Sequence, residues 1–334
     1  MPDDISSPSG PLIVVPCLNE ARHIGGVLAQ LSAARARLGG RVVVADGGST
    51  DGTVEIVAEH AARDPGIQLI HNPRRIQSAG INLAVADHGG DASYLIRIDA
   101  HCAYPDDFCD ILIAEAGATG ADSVVVSMNA QGQSALQRVI AATQNATLGN
   151  GGSKHRNAAR GEYVDHGHHA LIALGAFKSL GGYDPTFAHN EDAEFDHRLT
   201  AAGHRIWLTD RTHVTYFPRS TWVGLARQYL NHGSGRARNI LKHHTTPKVR
   251  QLKVIGVLPA VLMASLTPLT MIAALPFLLW VGFCLAMAAP LAVRARNPML
   301  LVAAPMAMVM HLSWSIGFWS MVLRPHRTPV GDPA

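Results

Sequence analysis

Apolar and polar positions cycle regularly through the first hundred residues. Short apolar runs at residues 11–15, 41–45, 67–70 and 94–98 are each followed by polar, turn-forming residues. Between them, apolar residues recur every three or four positions: Ile24, Val27, Leu28, Leu31 and Leu38, then Val54, Val57 and Ala61, then a third such stretch near residues 77–87. Short apolar runs bounded by turn residues predict buried strands, and the longer spacing predicts amphipathic helices. Strands alternating with helices in this way imply an α/β fold with a doubly wound, mostly parallel sheet. Pro16 is expected to stop the first strand, Asn19 to cap the first helix, and Ser49, Thr50 and Asp51 to open the second.

Residues 122–128 predict a further strand. The pattern then weakens, and residues 145–169, rich in Asn, Gly, His and Arg, predict a mobile active-site loop. Order is expected again at residues 170–180 and at a helix beginning near Glu191 and Asp192. No internal repeat is visible.

The C-terminal third changes character. Residues 254–293 are 40 positions without Asp, Glu, Lys, Arg or His, and residues 298–323 carry no ionisable group except His311. A spanning helix needs about 20 apolar residues. The tail therefore predicts two to three membrane helices, the first pair broken near residues 268–276. This gives a domain at residues 1–245, a basic linker at 246–253, a membrane segment at 254–323 and a tail at 324–334.

Charge supports that division. Residues 1–210 hold 15 Lys or Arg against 24 Asp or Glu, whereas residues 211–334 hold 13 against the single acid Asp332. Basic residues flanking apolar segments suit an anionic membrane surface rather than nucleic acid. They also place the flanks, and the large domain, on the cytoplasmic side. The polar residues 1–10 give no signal-peptide pattern. The four cysteines show neither ligand spacing nor a disulfide framework, which suits a reducing compartment.

Three acidic stations carry the candidate chemistry: Asp46 and Asp99, each just after an apolar run, and the pair Glu191 and Asp192. In open α/β sheets, ligands bind beyond the carboxyl ends of the strands. A nucleotide with a divalent metal would account for the first two stations, and a general base for the third. The Gly-Gly-Ser-Thr-Asp-Gly string after Asp46 lacks the register of a dinucleotide loop, which argues against a Rossmann oxidoreductase.

These residues also fall in a familiar order. Pro16-Cys17-Leu18-Asn19-Glu20, the string from Asp46 to Thr53, Asp99-Ala100-His101, and Gly181-Gly182-Tyr183-Asp184 leading to Glu191-Asp192 resemble the motifs of the family 2 glycosyltransferases. The likeness covers about residues 11–240 and is greatest to the succinoglycan-type exopolysaccharide glucosyltransferases with a C-terminal membrane segment. It implies a GT-A fold and inverting transfer of one hexose, glucose as the first guess, from a UDP-sugar to a polyprenyl-diphosphate-linked glycan at the bacterial inner membrane.

The resemblance also implies roles. Pro16, Asn19, Glu20, Asp46, Arg75 and Asp99 would bind the nucleotide sugar, with Asp46 on the uracil ring. Asp99, His101 and His213 would hold the metal. Here His101 replaces the usual second Asp, and imidazole favours Mn over Mg. Asp192 would be the base, with its carboxyl raised by its acidic neighbours Glu191 and Glu194. Glu191, Arg236 and Arg238 would face the acceptor. Gln228-Tyr229-Leu230-Asn231-His232 departs from the Gln-x-x-Arg-Trp of polymerising relatives. The same residues are also compatible with a polyprenyl-phosphate glycosyltransferase, a nucleotidyltransferase of similar sheet architecture, and a non-catalytic membrane sensor of UDP-sugars. Oligomeric state is not legible.

Overall fold

The computed structural model describes residues 10–153 and 160–324. The chain opens as β1 (Leu12–Cys17), α1 (Ile24–Leu38), β2 (Arg41–Asp46), α2 (Thr53–Arg63), β3 (Ile67–His71), α3 (Gln77–His88) and β4 (Tyr94–Arg97). It continues through β5 (Cys102–Ala103), α4 (Phe108–Thr119), β6 (Ser123–Ala130), α5 (Ala135–Asn145) and α6 (Thr147–Asn150). Then come β7 (Glu162–Val164), β8 (His168–Ala173), α7 (Leu174–Ser179), α8 (Glu191–Ala201) and β9 (Ile206–Tyr216). Helices close the chain: α9 (Trp222–His243), α10 (Val249–Ile255), α11 (Val257–Ala264), α12 (Leu275–Arg294) and α13 (Ala303–Val322).

By contact density the described residues form two compact units. One takes the residues up to Gln131 and Ser153–Phe217, and the other takes Gly132–Gly152 and the residues from Pro218 onward. The boundary expected near residue 245 thus falls inside the second unit.

The first unit holds a nine-stranded mixed sheet in the order β3-β2-β1-β4-β8-β6-β9-β5, with β7 also on β9. Strands β1 to β4 are parallel, whereas β8 enters antiparallel between β4 and β6. Pro16 does not end β1. The last β4 partner of β1 is Val14, opposite Arg97, so the N–H that proline lacks would face a side of the strand with no further ladder bond. Leu12, Val14, Val43, Leu95, Val125 and Ile172 interlock with Phe177, Tyr183 and Phe195 to form the core. Each such side chain contributes about 1.5–3 kcal/mol by leaving water.

Two local expectations are corrected. Asn19 does not cap α1, because that helix begins at Ile24 and Asn19 sits at φ 58° in a preceding turn. The segment 145–169 is not one loop: it contains α6, β7 and the start of β8, while residues 154–159 lie outside the described residues.

In the second unit, Val139, Ile140, Leu148, Leu225, Met306 and Met310 share one core. This is why α5 and α6 group with the C-terminal helices. Helices α9 and α13 meet backbone to backbone: a Cβ on Gly233 would lie 1.9 Å from the Trp314 carbonyl oxygen, and one on Gly317 would lie 2.0 Å from that of Leu230. His311 Nε2 donates to the Leu148 carbonyl at 2.9 Å, while Trp280 Nε1 donates to His311 Nδ1 at 3.4 Å, which fixes the tautomer. Among the described residues, two helices are long and apolar enough to cross a membrane, Met271–Arg294 and Pro298–Val322. The expected first arm of a hairpin instead forms the short helices α10 and α11.

Candidate active site

The carboxyl ends of β1, β2 and β4 carry the first two acidic stations. Beyond β2, Asp46 closes a turn on itself: Oδ2 accepts from the backbone N–H groups of Gly48 at 2.7 Å and Ser49 at 3.0 Å, and Oδ1 accepts from the Ser49 hydroxyl. Burial pushes this carboxyl up, but the bonds from Ser49 and Gly48 outweigh it and hold Asp46 below the ordinary carboxylate range. Gly48 adopts φ 85°, a conformation glycine tolerates and other residues resist. Arg75, itself at φ 59°, pins the same turn through Nε to the Gly47 carbonyl at 2.9 Å and Nη2 to Gly48 at 3.4 Å.

The turn after β1 is stitched to this one. The N–H of Asn19 donates to Ser49 Oγ at 2.8 Å, and the N–H of Thr50 donates back to Asn19 Oδ1 at 2.9 Å. The Glu20 N–H bonds Thr53 Oγ1 and the Ala21 N–H bonds Asp51 Oδ2. Pro16, Asn19, Glu20, Asp46 and Arg75 therefore surround one pair of turns. Asp51 also receives the Thr53 N–H, which is how α2 is started.

Asp99 follows β4 and is mostly buried. Gln77 Nε2 donates to its Oδ1 at 2.7 Å, Arg97 Nε lies 3.5 Å from the same oxygen, and His168 Nε2 lies 3.7 Å from Oδ2. Its backbone N–H donates to the Tyr104 hydroxyl at 2.7 Å, and that hydroxyl donates back to its carbonyl at 3.2 Å. His101, whose side chain is 45% exposed, places Nδ1 3.0 Å from Glu20 Oε1. A carboxylate on one ring nitrogen orients the imidazole and sets its tautomer, the usual support of a metal-ligating histidine.

His213 is exposed on β9, with its Cα paired to Ser127. Among the described residues no group of three or more His, Cys, Asp or Glu side chains is arranged to hold a metal ion. The expected trio of Asp99, His101 and His213 is thus not gathered as one set. Asp99 with the oriented His101 still fits a cation that takes its other oxygens from a diphosphate, since such ions are commonly held by one or two carboxylates plus substrate phosphates.

The third station is the first turn of α8. Asn190 enters it at φ 63°, and Gly181 and Gly182 lead up to it at φ 74° and 71°. A side chain on Gly182 would collide with Asn82, its Cβ 2.6 Å from Oδ1. That amide instead clamps Tyr183, accepting its N–H at 2.9 Å and donating to its carbonyl at 2.7 Å. Each acid on α8 then finds its own partner. Glu191 takes Arg97 Nη1 at 3.1 Å, with both side chains 8% exposed. Glu194 pairs with Arg198 at 2.7 Å. Asp192 Oδ1 accepts from the N–H of the next residue, Ala193, at 2.7 Å.

Asp192 departs from expectation. Its acidic neighbours were to raise its carboxyl; it is instead lowered. Burial works to raise it, but the attraction of His166, His169 and Arg97 prevails, while His168, pushed down to about 4 by burial, is neutral. Glu191 is the acid that burial raises, against the pull of Arg97. The repulsion is answered because Glu194 is paired with Arg198 and Glu191 with Arg97.

Arg97, Gln77, His166, His168, His169 and Asp196 were not singled out in the sequence. Arg97 had a signal, a lone charge inside an apolar strand. So did Asp192 and Asp196, which lie four apart and share one helix face. His166, His168 and His169 were visible only as part of an irregular polar stretch. Arg236 and Arg238, expected on the acceptor side, are half-buried on α9 in the second unit.

A model of the family described as "Glycosyl transferase family 2" matches residues 12–181. Over 321 residues the chain is 51% identical to the succinoglycan biosynthesis protein ExoA of Rhizobium meliloti (strain 1021), an overlap of 96% of this chain and 97% of that protein. Among solved structures it is similar to the mannosyltransferase PcManGT from Pyrobaculum calidifontis in complex with GDP-Man and Mn2+, with TM-score 0.60 and 19% identity over 90% of this chain and 87% of that one. It is also similar to the mannosyl-3-phosphoglycerate synthase from Rubrobacter xylanophilus, with TM-score 0.50 and 15% identity over 72% and 77% of the two chains. At those identities the structural likeness speaks for the fold alone, which is GT-A. With its motifs, its sheet and a relative matched nearly end to end, the chain belongs to glycosyl transferase family 2.

Proposed function

We propose that this chain is a membrane-held, inverting hexosyltransferase of exopolysaccharide assembly. It moves one hexose, glucose as the first guess, from a UDP-sugar to a lipid-linked glycan. The observation that carries this proposal is Arg97: one buried guanidinium reaches both Asp99, on the donor side, and Glu191, on the acceptor side. That shared guanidinium supports reading the two acids as parts of one reaction centre. The extended likeness to a succinoglycan biosynthesis protein supports the exopolysaccharide context.

In this account the turn around Asp46 receives the uracil, Asp46 accepting from the ring N–H. Asp99 and His101 hold a divalent cation, Mn in preference to Mg because of the imidazole. When bound, that cation neutralises charge on the departing diphosphate. Asp192 accepts the proton of the acceptor hydroxyl as its oxygen bonds the anomeric carbon and the bond to UDP breaks. A single displacement inverts that carbon.

The two apolar helices Met271–Arg294 and Pro298–Val322 would hold the chain at the cytoplasmic face of the bacterial membrane, where a polyprenyl-linked acceptor resides. The test is UDP release by the detergent-solubilised protein with a panel of UDP-sugars, Mn or Mg, and a polyprenyl-diphosphate glycan extract. Metal-dependent release with one sugar, and an inverted anomer in the product, is expected. Release with polyprenyl phosphate alone would move the acceptor to the lipid phosphate, and tight binding without any release would make the chain a sensor.

A further inference from the structure

One turn beyond Asp192 on α8 lies a buried polar cluster outside the roles assigned above. Asp196 is 1% exposed. Its Oδ1 lies 2.6 Å from His169 Nε2, its Oδ2 lies 2.7 Å from His166 Nδ1, and the Gly167 N–H donates to Oδ2 at 3.2 Å. The other nitrogen of His169 lies 2.7 Å from the Tyr183 hydroxyl. Both oxygens of the carboxylate are therefore engaged by the segment at the start of β8. A carboxylate sunk this deeply is costly to keep unless it is paired. Residues four apart on a helix are neighbours, about 5–6 Å between Cβ atoms. The imidazoles that Asp196 holds are also the electrostatic neighbours acting most strongly on Asp192.

We propose that Asp196, with His166 and His169, is a positioning unit for the acceptor-side carboxylate: its two oxygens fix the orientation of both imidazoles one helical turn beyond Asp192. This rests on Asp192 as the base. The unit does not touch the reacting atoms; it acts through Asp192.

The surroundings agree. Burial opposes a proton on His169, yet Asp196 and Asp192 outweigh it and raise the imidazole above its ordinary value. Asp196 is itself held low by His169 and His166 against its burial. The titratable and charged groups around Asp192 are Glu191 and Glu194 on its own helix, Arg97 from β4, His168 and His169 from β8, and His166 just before β8. Glu194 is paired with Arg198 and Glu191 with Arg97. His166 and His169 are thus the imidazoles whose carboxylate partner, Asp196, lies on the same helix face as the base.

The test uses the full-length protein and two readouts. The first is the pH profile of kcat/KM with a UDP-sugar and the lipid-linked acceptor. In Asp196→Asn the acid limb should move up by about one pH unit, a loss of about tenfold on that limb, with KM for the donor unchanged. The second is the titration of ring-labelled histidine by NMR, in which His169 should fall below its wild-type value in the same variant. Should Asp196→Asn fail to fold, His166→Gln and His169→Gln carry the same expectation for the limb. An unmoved limb in a folded variant overturns the proposal. If Asp192→Asn keeps full turnover, the base assignment fails separately, and an unchanged His169 titration would then remove the positioning unit as well.

Discussion

The turn around Asp46 and the first turn of α8 solve the same problem by opposite means. Both keep a largely buried carboxylate below its ordinary range. Asp46 does so within four residues, using the N–H groups of Gly48 and Ser49 and one hydroxyl. Asp192 does so with charges brought from β4 and from the segment around β8. The first arrangement is rigid and local, suited to recognising a fixed shape such as a nucleobase. The second depends on tertiary placement and on protonation, which suits a group that must gain and lose a proton. The difference between them is testable.

Removing the tertiary cation should have the larger consequence. Arg97→Met leaves Glu191 and Asp99 without their shared guanidinium, and breaking a buried pair costs about 3–5 kcal/mol. Denaturant unfolding of the solubilised protein should show that loss. Survival of full stability would mean that the two acids are neutral, and the contrast with Asp46 would collapse.

Asp46→Asn comes next. It weakens bonds to a charged acceptor worth about 1.5–3 kcal/mol, so UDP affinity should fall about 10- to 100-fold by calorimetry. The same substitution has a pH signature. A carboxyl held low stabilises the fold above its unfolded value near 3.9, and that contribution is lost as pH falls through the folded value. Asp46→Asn should flatten the acid side of the stability curve by up to one proton's slope.

Ser49→Ala should have the smallest effect, about 0.5–1.5 kcal/mol, because two backbone donors remain on Asp46. A larger loss than that of Asp46→Asn would show that the hydroxyl, and not the backbone, organises the turn.

The same contrast explains what could be read from the chain. The β1 to β4 half of the sheet and the Asp46 turn follow from apolar runs and from Gly and Ser at short range, so their residues announce them. The β8 strand was hidden because it runs antiparallel between β4 and β6 and begins with His168 and His169, polar residues with no strand periodicity. Pro16 suggested an end to β1 only because sequence does not show where β4 stops pairing. Asp192 was found by its motif, but its ionisation was inferred from the acids beside it. The cations that decide it come from 23 to 95 residues away along the chain, at His169 and Arg97. The grouping of α5 and α6 with the C-terminal helices likewise rests on contacts spanning more than 150 residues, such as His311 with Leu148 at |i−j| of 163.

The central claim is that Asp192, kept ionised by its cationic wall, takes the proton in glycosyl transfer. Its most direct test is turnover of Asp192→Asn at saturating UDP-sugar and acceptor, with UDP affinity measured on the same preparation. The account predicts that kcat falls about 10²- to 10⁴-fold while UDP binds as in the wild type. Turnover that persists with UDP affinity intact would contradict it, and would point to an acceptor already ionised before it reaches the site.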